Sequence, residues 1–67
     1  MKLRNTLNGY EYEAALTTDH AASSYGQAVL VDLATGDAVD TFSFGLAFLL
    51  EATEEERAAL RQAGYPA

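Results

Sequence analysis

The chain has 67 residues, ten carboxylates against four Lys or Arg, and a net charge of −6. That charge opposes docking directly on nucleic acid or on anionic lipid, and a hydrophobic content of 49% is too high for a disordered acidic tail. Residues 1–67 are therefore expected to form a single compact domain, with no cysteine to supply a disulfide or a thiolate metal site.

The N-terminal stretch lacks the apolar run of a signal peptide. Leu3 to Leu7 is expected to be a short strand. Asn8-Gly9 follows, the dipeptide favoured in two-residue type I′ hairpin turns because both central positions need positive φ. Tyr10 to Thr17 alternates with period two. Tyr10, Tyr12, Ala14 and Leu16 share one face, and Glu11, Glu13, Ala15 and Thr17 share the other, the pattern of a half-buried strand.

The small, polar run from Asp19 to Gly26 reads as a loop. Gln27 to Leu33 carries Val29-Leu30-Val31 and reads as a central strand. Ala34-Thr35-Gly36-Asp37 is a turn with Gly placed for positive φ, and Ala38 to Phe42 is the expected returning strand.

Phe42 to Leu50 fits two periods. Phe42, Phe44, Leu46, Phe48 and Leu50 alternate as a strand would, while Leu46, Leu49 and Leu50 also suit a helix. Its helix-forming composition favours a helix beginning near Ser43, capped by Ser43 or Thr41. At nine residues the run is too short to span a bilayer.

The C-terminal segment has the clearest local chemistry. Thr53 and Glu56 make a capping box, and Glu54 and Glu55 add negative charge at the positive end of the helix dipole. Gly64 terminates the helix, Pro66 cannot extend it, and a Schellman ending would fold Tyr65 back on Leu60. The expected architecture is α+β: a small antiparallel sheet of two β-hairpins, then one or two C-terminal helices packed on one face. Tyr10, Tyr12, Leu16, Val29, Val31, Phe44, Phe48, Leu49 and Leu60 are the expected core.

Catalytic and metal chemistry is poorly supplied. His20 is the only histidine, and its nearest nucleophiles, Ser23 and Ser24, crowd the same loop instead of converging from separate elements as a triad does. Asp32, Asp37 and Asp40 flank a Gly turn but lack the alternate-position acids and terminal Glu of a calcium loop. There is no P-loop, no dinucleotide fingerprint and no metal-spaced His or Cys cluster, so no enzyme activity, metal or cofactor is expected.

The charge layout is the remaining signal. Lys2 and Arg4 open the chain, Arg57 and Arg61 lie near its end, and every carboxylate falls between Glu11 and Glu56 with no Lys or Arg among them. Folded surfaces ordinarily intersperse the two signs. Glu11 and Glu13 would stand about 6.7 Å apart along one strand face. With Asp32, Asp37 and Asp40 at the second turn, and Glu51, Glu54 and Glu55 near the last helix, they are the expected protein-binding residues. Glu56 is assigned to the cap.

A cysteine-free acidic chain of this length, with that Lys/Arg-free span and a strand-borne Glu11-x-Glu13, resembles the small inhibitors encoded by phages and other mobile elements, the anti-CRISPR proteins in particular. The resemblance implies a non-enzymatic inhibitor acting in the host cytoplasm. It would offer clustered carboxylates, as a DNA mimic, to the basic nucleic-acid-binding surface of a CRISPR effector subunit. It would itself bind neither nucleic acid nor membrane, and would act as a monomer or weak dimer. The competing reading is a small acidic interaction or structural module, dimeric through a sheet edge, whose charge serves solubility.

Overall fold

The computed structural model describes all 67 residues. Its elements in chain order are β1 (Lys2–Asn5), β2 (Glu11–Thr17), β3 (Val29–Asp32), β4 (Ala38–Val39), α1 (Thr41–Gly45), β5 (Ala47–Glu51) and α2 (Glu54–Gln62). The strands form one antiparallel sheet in the order β4-β3-β2-β1-β5. The fold is the expected α+β class, with a fifth strand between the two helices.

β2 is the longest strand and joins two offset halves. Its first part pairs with β1, Arg4 opposite Glu11 and Leu3 opposite Tyr12. Its second part pairs with β3, Ala14 opposite Asp32 and Leu16 opposite Leu30. The β3–β4 hairpin therefore stops short of the first half of β2 and leaves space beside Tyr10 and Tyr12.

The first hairpin lacks the expected two-residue turn. Gly9 has φ +75°, but Asn8 is not in the left-handed region, and residues 6–9 make a wider loop closed by the Asn5 amide on the Tyr10 carbonyl at 2.8 Å. Asn5 Oδ1 accepts from the Leu7 amide at 2.8 Å and Asn8 Oδ1 from the Tyr10 amide at 2.9 Å within this loop, and the Thr6 amide donates to Leu46 O at 2.9 Å, linking the end of β1 to the residue before β5.

Phe42 to Leu50 divides. A one-turn helix covers Thr41–Gly45, and β5 begins at Ala47. The cap is Asp40, not Ser43 or Thr41: Asp40 Oδ1 accepts from the Ser43 amide at 2.7 Å. Asp40 thus ends the returning strand early, leaving β4 two residues long.

Leu3, Ala14, Leu30, Val39, Phe44, Leu60 and Tyr65 form the core between the sheet and its helices. The core face of β3 is Leu30, not Val29 and Val31; Val31 is buried on the opposite side of the sheet, across from Ala15 and Ala38. Two other expected core residues stand out in solvent, Tyr10 at 44% and Phe48 at 63% exposure. Phe48 pairs with Arg4 on β1, on the face away from the core residue Leu3 and from Leu49, which packs against the core.

α2 forms as its local chemistry requires. Thr53 Oγ1 accepts from the Glu56 amide at 3.1 Å, and Glu56 Oε1 accepts from the Thr53 amide at 2.8 Å. At the other end Gly64 has φ +95°. The amides of Gly64 and Tyr65 return to the carbonyls of Arg61 and Leu60, the two bonds of a Schellman ending. That reversal carries Tyr65 into the core. Its hydroxyl accepts from the Leu30 amide at 2.9 Å and donates to Val39 O at 2.7 Å, bridging a β3–β4 residue pair.

Candidate functional site

The expected row of strand carboxylates is not an unopposed negative surface. β1 places Lys2 and Arg4 directly across from Glu13 and Glu11. Arg4 Nη2 lies 2.6 Å from Glu11 Oε2, and Lys2 Nζ lies 3.6 Å from Glu11 Oε1. The Arg4 hydrogen bond is the main reason the Glu11 carboxyl titrates below its ordinary value. Glu13 is 3.9 Å from the Met1 ammonium. Pairing β1 against β2 thus brings two of the four side-chain cations, Lys2 and Arg4, onto Glu11, and Glu13 meets only the Met1 ammonium.

The helix-borne acids are partly answered too. Arg61 reaches Glu54 at 3.1 Å, and the Met1 ammonium lies 3.2 Å from Glu56 Oε2. Glu56 is held below the usual carboxylate range, first by the Thr53 amide and then by that ammonium. Asp40 is lowered by the Ser43 amide. Asp19, Asp32, Asp37, Asp40, Glu51 and Glu55 make no ion pair.

These depressed values set an acid-side stability limit. A carboxyl whose folded pKa lies below its unfolded value stabilises the native state fully above the unfolded pKa, and that contribution is lost as pH falls through the folded one. For Glu11 and Glu56 the loss starts near the ordinary value of 4.5, and for Asp40 near 3.8. The urea midpoint followed by circular dichroism is expected to fall from pH 6 to pH 3, and less steeply in Glu56→Gln. Equal midpoints at both pH values would contradict this.

The expected binding residues separate into two groups. Glu51, Glu54 and Glu55 lie at the β5–α2 junction on one edge of the sheet. Asp32, Asp37 and Asp40 lie at the β3–β4 hairpin on the other. The second group borders a defined cleft. Asp32 and Asp37, with Asn5, Tyr10, Tyr12, Thr35 and Ser43, line an open space of about 300 Å³, where β3 and β4 fall short of the first half of β2. Asp40 stands just outside it, with its carboxylate on the amide of the lining residue Ser43.

Asp32 is the unusual member. It is 7% exposed, the one charged side chain in the buried set. Oδ1 accepts from the Ala34 amide at 2.9 Å, shaping the turn, and Oδ2 meets only the Tyr10 hydroxyl at a long 3.3 Å. The Tyr10 and Tyr12 rings stack with centroids 5.5 Å apart and planes 15° from parallel. Desolvation, and then the Asp32 charge, raise both phenols above their ordinary value. Alternation assigns both rings to the core; Tyr12 does pack against it, while Tyr10 stands half-exposed. The signal that pointed elsewhere is Asp32 itself, an acid between Val31 and Leu33 in an apolar strand.

His20 is occupied by backbone. Nδ1 accepts from the Ala22 amide at 3.0 Å, so Nε2 carries the proton it donates to Gly36 O at 2.8 Å. Ser23 Oγ donates to Gln27 O. The His20–Gly36 bond ties the long loop to the β3–β4 turn, and the other two are internal to the loop. No three His, Asp or Glu side chains are grouped to share a metal ion, and no helix is long and apolar enough to cross a membrane. Comparison of this chain with protein-family models, with curated proteins and with solved structures finds no match.

Proposed function

We propose that this chain is a non-enzymatic binding protein that inhibits a nucleic-acid-binding partner by occupying its basic surface, in the manner of a DNA-mimicking anti-CRISPR protein. The observation that supports it is the set of unpaired carboxylates at the β3–β4 hairpin. Asp32, Asp37 and Asp40 have no cation within ion-pair distance, although four other acids of the chain do. A net charge of −6 adds long-range attraction for a basic partner, and that attraction weakens with salt. A CRISPR effector subunit is the partner that the resemblance implies, in the host cytoplasm. The contact centres on Asp37 and Asp40 with the neighbouring cleft, and Glu51, Glu54 and Glu55 extend the field on the far edge. Glu11, matched by Lys2 and Arg4, and Glu13, near the Met1 ammonium, contribute least.

The test is retention of purified CRISPR effector complexes on the immobilised chain at low and high salt, with duplex DNA as competitor. Retention is expected at low salt, lost at high salt and displaced by DNA. Asp37→Lys is expected to weaken it by about tenfold, since reversal replaces attraction with repulsion in a desolvated contact. Retention insensitive to both salt and DNA would sink the mimicry reading.

A second reading has its own observation. β5 is an edge strand of sequence Ala-Phe-Leu-Leu-Glu, and Phe48 on it is 63% exposed. An uncovered apolar edge is a template for strand addition. If light scattering gives a dimer that Phe48→Lys dissociates, the chain is an assembling module and its acidity serves solubility.

A further inference from the structure

The Tyr10–Tyr12–Asp32 cleft points to a more specific ligand chemistry. We infer that it is a receptor for a guanidinium group, an arginine side chain presented by the partner. This rests on the reading of the chain as a binder of basic surfaces and names the group that one part of it would hold.

The first ground is an uncompensated charge. A carboxylate taken out of water costs free energy unless a cation or a full set of hydrogen bonds answers it. Asp32 is 7% exposed and has no cation partner. An ionised carboxylate offers about four acceptor positions. Here the Ala34 amide and the Tyr10 hydroxyl each take one, the latter at 3.3 Å. The chain's own cations are held elsewhere: Lys2 and Arg4 by Glu11, and Arg61 by Glu54. Arg57 is on α2, while the cleft is lined from the β1 and β2 ends, the β3–β4 hairpin and Ser43 of α1.

The second ground is the wall. Two near-parallel tyrosine rings line the same cleft as the carboxylate. Aromatic faces attract cations, and a planar guanidinium both stacks on a ring and forks two donors onto a carboxylate. An ammonium is compact and strongly hydrated and gains less from the ring. Asp37, in the same lining, adds a second negative charge at the mouth. Its carboxylate accepts no hydrogen bond from the chain, whereas Asp32 and Asp40 each cap an amide. About 300 Å³ of open space accommodates the planar head group together with part of its aliphatic stem.

The experiment is a nuclear magnetic resonance titration of the full chain with N-acetyl-arginine methylamide, and with its lysine counterpart. The resonances followed are the Ala34 amide and the Tyr10 and Tyr12 rings. Saturable shifts at these positions are expected with arginine, and weaker ones with lysine. Asp32→Asn keeps an acceptor for the Ala34 amide but removes the charge, and is expected to weaken arginine binding about tenfold or more. Tyr10→Leu alters a half-exposed ring and provides a second variant that does not disturb the turn; it is expected to weaken binding as well. Equal affinity for lysine overturns the guanidinium assignment. Shifts confined to Glu51, Glu54 and Glu55, or unaltered binding by both variants, overturn the site. If neither variant alters arginine binding while the unsubstituted chain still captures a basic partner in a salt-dependent way, the cleft is wrong and the function stands. If arginine binds but no such partner is retained, the function is wrong and the cleft stands.

Discussion

Leu60→Ala is expected to remove a large part of the stability of this domain. Leu60 is fully buried, with no exposed side-chain surface, and it is the residue through which α2 closes the core over Leu3, Ala14, Leu30, Val39 and Phe44. Truncating a fully buried leucine costs about 2–5 kcal/mol, the lost transfer free energy plus the cavity left behind. A chain of 67 residues is stable by roughly 3–10 kcal/mol on per-residue averages. The variant should therefore show a much lower urea midpoint, or be substantially unfolded in buffer, when followed by circular dichroism. A loss below about 1 kcal/mol would mean that α2 is dispensable to the core. No disulfide is present to limit the damage.

Tyr65→Phe isolates one hydroxyl. The Tyr65 ring meets Phe44 edge-on, with centroids 5.3 Å apart and planes at 63°, and phenylalanine keeps that contact. What disappears is the oxygen that accepts from the Leu30 amide and donates to the Val39 carbonyl. Leu30 and Val39 are both buried, and each buried group left without a partner costs about 1–3 kcal/mol. The expected outcome is a loss of about 2 kcal/mol or more, with faster hydrogen exchange at the Leu30 amide in particular. Unchanged protection there would show that another group satisfies the strand pair. Leu60→Ala would raise exchange throughout the core, so the two variants are distinguishable by where protection is lost.

Both variants act through a C-terminal segment whose local form was legible from sequence. The Thr53–Glu56 box and the Gly64 ending each close within a few residues, so the chemistry of the side chains and the conformational freedom of glycine suffice to specify them. The alternation of β2 was legible for the same reason: Glu11 and Glu13 lie in solvent, while Ala14 is buried and Tyr12 and Leu16 pack against the core.

Val29-Leu30-Val31-Asp32 was harder to read. A continuous apolar run has no period from which to choose a core face. The choice falls to the register that sets Leu16, Leu30 and Val39 side by side, where Tyr65 can reach them. Phe42 to Leu50 satisfied both periods, and the contest is settled by Asp40 capping a single turn and by β1 offering an edge to Ala47–Glu51.

The candidate site divides along the same line. The excess of carboxylates over cations, and the crowding of Asp32, Asp37 and Asp40 around one glycine turn, are properties of the linear sequence. Which acids remain unanswered is a property of the fold. Antiparallel pairing of β1 and β2 returns Lys2 and Arg4 to Glu11 and sets the Met1 ammonium near Glu13, the two glutamates that first suggested a charged strand face. Tyr10 and Asp32 stand 22 residues apart in the chain. They meet because β3 ends at Asp32, opposite Ala14, and leaves the first half of β2 open beside Tyr10. The sequence by itself determined the α+β class, the caps of α2 and the sign of the molecule's field, because each depends on neighbours in the chain or on a sum over all residues. The tertiary structure alone decided which charges cancel and where a buried acid faces two aromatic rings, because strand register, not sequence distance, brings those groups within reach of one another.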